Sequence, residues 1–336
     1  MAGKVKAMRM GHCIVALMCL CSGNLAAQQS GSMFVFRDSF WLNLHQFLRG
    51  EVYRRHASEG LGLDTLSLPE ADRVAWNRAV DEYGDLAKRD VLFDDLLRQI
   101  SNVLTTITDT TPLPDSVDRV IGTTTRLALN AAASIYRSRV WPRRERDNEA
   151  WIAAARALVA PHEATMASHL AAAYQIRWPS EPMLIDVVGE VGPNSAITYG
   201  GPAGFAAHIQ VSAGSRRNTG DAPLELLFHE VTHAAPVESR IQRMIQDESA
   251  RQKLHVPEDL WHSMIIFTSG SIARQELAHV EHREYVPYAY RYHQLTIVEQ
   301  TAFERDWQPY LDAKIGLEQA LHDLVHDTSL PGGVPR

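Results

Sequence analysis

From Phe34 to about Ile176 apolar residues recur three and four positions apart, the spacing of one face of an α-helix. "SFWLNLHQFLRGEVYRR" carries this period, two further runs follow between Ala71 and Leu104, and "NEAWIAAARALVAPHEATMASHLAAAY" is a long alanine-rich stretch interrupted at Pro161. After "RWPSEP" the period changes. "MLIDVVGEV", "SAITYGG" and "AAHIQVSAG" are short, rich in β-branched residues and separated by Gly, Pro and Asn, and they predict three strands. "PEDLWHSMIIFTSGSIARQELAHVEH" and "QPYLDAKIGLEQALHDLVH" return to helical spacing, while "TDTTPLPDS" predicts a loop. The pattern predicts an α+β protein: a mainly helical region over 28–178, then a region over 179–326 with a small mixed sheet, then a flexible tail over 327–336.

The first 27 residues stand apart from this pattern. Lys4, Lys6 and Arg9 precede an apolar run from Cys13 to Leu20, and small residues follow at Ala26 and Ala27, which predicts a secretory signal peptide cleaved near Ala27. The run is too short to span a bilayer, which needs about 20 apolar residues. The expected location is therefore periplasmic or secreted. All three cysteines (Cys13, Cys19 and Cys21) lie in this leader, so a metal in the mature chain would be held by His, Asp or Glu. Removing the three leader cations takes the formal charge from −7 to −10. That balance disfavours nucleic acid as a partner, and no later segment predicts a membrane span. The full sequence is 45% hydrophobic and 22% charged, and the chain without the leader is long enough to bury a full core.

The candidate chemistry sits in "LELLFHEVTHAA", residues 224–235. On a helix, His229 and His233 lie on one face about 6 Å apart along the axis, so both imidazoles can reach one point, about 2.0 Å from a zinc ion. Glu230 is rotated by about 100° from His229, beside such a metal but outside its ligand shell, where a base acting on water must stand. Leu224, Leu227, Phe228 and Val231 give the same helix an apolar back to anchor it.

The HEVTH segment, with its uncharged flanks and the preceding "HIQVSAG", resembles the active-site helix of the zinc metallopeptidases known as zincins. The resemblance implies a zincin-like catalytic half, zinc as cofactor, a peptide or protein substrate, and an edge strand that binds the substrate backbone; Ala206–Ala213 is the strand expected in that role. The metzincin branch has Gly three residues after the second His and another His three further on. Here those positions are Pro236 and Ser239. The third ligand is then expected from a second helix. Glu238 follows His233 closely enough to need a tight turn, and His255 lies in a predicted loop. Glu258, His262 and Glu276 lie on or near the helix starting about Pro257. His262, set between Trp261 and the apolar "SMIIF", needs a polar partner and is the first choice; the precedent of Glu in such families keeps Glu276 as the alternative.

Tyr288, held by Pro287, is the candidate hydrogen-bond donor to a developing oxyanion, with Arg274 a second candidate. "HDLVH" (His322 to His326) and "HVEH" (His279 to His282) read as a solvated helix face and a surface turn, and His208 as rim or core. The expected activity is that of an exported zinc metallopeptidase with Glu230 as general base. A zinc amidase acting on cell-wall material and a non-catalytic binding module are the alternatives, the latter disfavoured because a structural zinc site needs no base.

Overall fold

A computed structural model describes residues 31–57, 62–92, 94–191 and 195–330. The expected leader and residues 331–336 of the expected tail lie outside these. Four strands form one mixed sheet: β1 (Phe34–Arg37), β2 (Met183–Val188), β3 (Ala196–Gly200) and β4 (Ala207–Ser212), in spatial order β1-β2-β4-β3. β1 pairs parallel with β2 and β2 parallel with β4, whereas β3 runs antiparallel to β4. Two sequence expectations are corrected here. β1, inside the expected helical region, is a strand, and the edge strand beside β4 is β3, since β4 is flanked on both sides. β4 is wholly buried, as an interior strand is.

The β1-to-β2 connection contains a layer of helices: α1 (Phe40–Ala57), α2 (Glu70–Glu82), α3 (Asp95–Leu104), α4 (Thr123–Arg139), α5 (Trp141–Val159) and α6 (Glu163–Tyr174). The break between α5 and α6 falls around Pro161, as the sequence predicts. After the sheet come α7 (Ala222–Thr232), α8 (Ala235–Gln252), α9 (Leu260–Val280) and, near the C-terminus, α10 (Leu317–Asp327). The described residues from Ser32 onward form one compact unit, so the change of pattern near residue 178 does not divide two bodies. The expected tail is also shorter than predicted: Thr328 donates to Leu324 O (2.7 Å) and Leu330 N to His255 O (2.8 Å). Among the described residues no helix is long and apolar enough to cross a membrane.

Alternation along the strands gives the sheet two different faces. One is apolar: Phe34, Phe36, Met183, Ile185, Val187, Ile209 and Val211 share a core with α5, α6, α7 and α9. The other carries a buried polar seam beneath α1. Asn43 and Asn148 both donate to Val187 O (3.0 and 3.1 Å), and Asn43 Oδ1 accepts from Gly189 N (3.0 Å). Arg49 donates to Gln46 Oε1 (3.1 Å) and Gln46 to Gln210 Oε1 (2.7 Å). His208 is fully buried between Asp186 (2.7 Å) and Asn102 (2.8 Å), so it belongs to this core.

Candidate metal centre

α7 is buried along nearly its whole length, with only His229 and the cap residue His233 partly open. Its apolar back locks into the core, where Phe228 packs edge-on against Phe34 of β1 at 5.4 Å between ring centroids. The helix stops at His233; Ala234 adopts an extended conformation (φ −57°, ψ 131°) and Pro236 lies in the first turn of α8. A proline is tolerated there because the first-turn amides have no intrahelical acceptor. α9 packs beside α7, and at Gly270 the approach is so close that a Cβ would lie 2.7 Å from both Glu225 Oε1 and Pro287 Cβ.

This packing brings His229, His233 and His262 together from two helices. A ligating nitrogen from each lies within 4.8 Å of the other two, which is close enough to bind a metal ion. The imidazole centroids form a nearly equilateral triangle of 5.1, 5.4 and 5.3 Å. His229 Nε2 and His233 Nε2 are 3.3 Å apart. Two nitrogens each about 2.0–2.1 Å from a tetrahedral zinc ion are about 3.3–3.4 Å apart, so the pair has the span that such an ion requires. Burial, followed by the neighbouring His233 and His262, holds the His229 imidazole well below its ordinary protonation range. Burial and His233 likewise take His262 down to about 4, against the opposing pull of Asp259 and Glu238. Both rings are thus neutral at neutral pH, the form that ligates metals. Trp261 stands at 5.8 Å from the His233 ring and 5.5 Å from that of His262, walling one side.

Glu230 is buried beside the histidines, and burial raises its carboxyl above the usual range against the lowering effects of His233 and Thr198. The hydroxyl of Thr198, on edge strand β3, lies 2.6 Å from Glu230 Oε2. That contact ties the Glu230 carboxylate to the edge strand.

The other candidates are placed elsewhere. Glu276, the alternative third ligand, accepts from His162 Nδ1 (3.0 Å), while His162 Nε2 meets Glu281 (2.8 Å). His262 therefore completes the group and Glu276 does not. Tyr288 is not brought to the triad: its hydroxyl donates to Arg217 O (2.6 Å) and its amide to Glu225 (3.0 Å). Arg274 lies over the Tyr290 ring at 5.8 Å. His322 and His326 each face a carboxylate, Glu248 and Asp327, on a partly exposed helix face, as expected of a decoy. His279 and His282 are exposed at the end of α9. Thr198 was not legible as a site residue, and Glu238, set aside as a ligand because it would need a tight turn to fold back, does fold back, to 2.9 Å from His233 Nδ1. Thr198 has no sequence spacing to the motif that could mark it. For Glu238 the signal was present in Pro236, which starts a new helix and turns its first acid back toward His233.

No family model, curated protein or solved structure matches the chain.

Proposed function

We propose that the protein is an exported zinc-dependent hydrolase, and specifically a peptidase of the zincin kind. The observation that carries this reading is the convergence of His229, His233 and His262 with Glu230 beside them. Three protein ligands fit a catalytic zinc, which keeps a position open, better than a structural one, which closes with four. When bound, zinc supplies a Lewis acid that polarises a carbonyl and acidifies water.

The chain's own groups supply the rest. Thr198 holds one oxygen of Glu230, leaving Oε1 to take a proton from the attacking water and return it to the leaving amine. Desolvation makes this carboxylate a stronger base than one in water. Among the described residues the outer side of β3 has no strand beside it in the sheet, and Thr198 ties that strand to the base. An extended peptide added to this edge would lie along the base, which favours a polypeptide substrate.

Elemental analysis of the mature protein should find about one zinc per chain, and His229→Ala/His233→Ala should remove it. A peptide-library digest should proceed without chelator and stop with it. Glu230→Gln should retain zinc while losing hydrolysis by about 100-fold or more, since the amide keeps the shape but not the base. Full metal retention in the double variant, or an active Glu230→Gln, would defeat the assignment. Cleavage of cell-wall fragments alone would replace the peptidase with an amidase.

A further inference from the structure

We infer that Glu238 is a positioning residue for the metal centre: its carboxylate fixes the tautomer and orientation of His233 so that Nε2 faces His229 and His262. The inference rests on the reading of the three histidines as metal ligands.

The geometry is built by the corner between α7 and α8. Because Ala234 is extended and α8 begins at once, the fifth residue after His233 returns to the His233 ring instead of continuing away from it. Glu238 Oε2 lies 2.9 Å from Nδ1, on the edge of the ring away from the triad. A carboxylate accepts only, so Nδ1 must carry the proton, and in the neutral ring Nε2 is then a bare lone pair. That lone pair is 3.3 Å from His229 Nε2.

The carboxylate is itself held. Gln242, one turn further along α8, donates to Glu238 Oε1 at 3.0 Å. Among the described residues no lysine or arginine forms an ion pair with Glu238, so its charge is directed at the imidazole. A charged acceptor at Nδ1 increases the donor strength of Nε2 and restricts ring rotation, and partners of this kind typically change metal affinity by about 10–100-fold. Glu238 is not a ligand in this arrangement, because its near oxygen sits against Nδ1 while the ligating nitrogens converge on the opposite side.

The test is a competitive zinc titration of the full mature chain against a chromophoric chelator, paired with nitrogen-15 NMR of histidine in the metal-free protein. Glu238→Ala should weaken the zinc Kd by about 10–100-fold. Glu238→Gln should weaken it less, because the amide oxygen still accepts from Nδ1 but carries no charge. Metal-free wild type should show His233 protonated at Nδ1, and Glu238→Ala should populate the other tautomer. Should the alanine variant fail to fold, as judged by its thermal transition, the glutamine variant carries the comparison. Wild-type zinc binding with unchanged Kd and tautomer in the variants overturns this inference alone. Absence of zinc binding by the wild type overturns the metal reading and this inference with it.

Discussion

Glu225 stands one turn before His229 and is sealed from solvent, with 1% of its surface exposed. It accepts from Tyr285 OH (2.6 Å) and from Tyr288 N (3.0 Å), so it ties the chain after α9 to the histidine helix. Burial lifts its carboxyl from 4.5 to about 7, against the lowering effects of those two donors and Arg291. The folded state therefore holds this proton more tightly than the unfolded chain does. Its contribution to stability is complete below about pH 4.5 and is lost as the pH rises through about 7. In chelator-treated protein, the wild-type advantage over Glu225→Gln should fall by about 2–3 kcal/mol between pH 5 and pH 8. Denaturant titrations at both pH values would measure it, and a pH-independent difference would contradict the role. The same contacts explain why Tyr288 is unavailable as an oxyanion donor, a point that its position after Pro287 could not reveal.

At the scale of elements, the centre depends on the spacing of α7 and α9, which Gly270 sets. Gly270→Ala should cost about 1–3 kcal/mol, because the added methyl overpacks a closed contact with Glu225 and Pro287. It should also weaken zinc binding, although Gly270 is about 12 Å along the helix from His262. Gly84→Ala, where nothing lies within 4 Å of the added Cβ, is the control and should be near neutral. Equal melting temperatures and zinc affinities for the two variants would remove Gly270 from the account. The sequence revealed these helices well because their apolar spacing is long and regular, and it revealed His262 because a polar residue in an apolar run demands a partner. It hid β1, whose four residues are absorbed into the helical pattern that follows. It also hid strand order: nothing in "SAITYGG" or "AAHIQVSAG" says which lies at the edge. The C-terminal helical run is in fact broken, with Ala313 at φ 57° before α10 begins.

At the scale of the whole molecule, the helical layer is part of the structure that holds the site. β1 completes the sheet, Phe34 backs the histidine helix, and α1 closes the polar seam over β2 and β4. Expressed alone, residues 179–330 should therefore lack a cooperative thermal transition, since β2 would lose a paired neighbour and the seam would be left unpartnered. A folded, zinc-binding fragment would instead identify the first half as a removable segment. The pairing of β1 with β2 also has a consequence in time. During synthesis β1 emerges first, but its partner follows roughly 150 residues later, a wait of about 8–30 s at ordinary elongation rates. Throughout that interval an apolar strand and a helix with a polar face meant for burial are both without their partners. Refolding from denaturant should accordingly be slow for the chain's size, because the sheet forms only after its longest loop closes. The unpaired first strand is then the place where a holding chaperone would act.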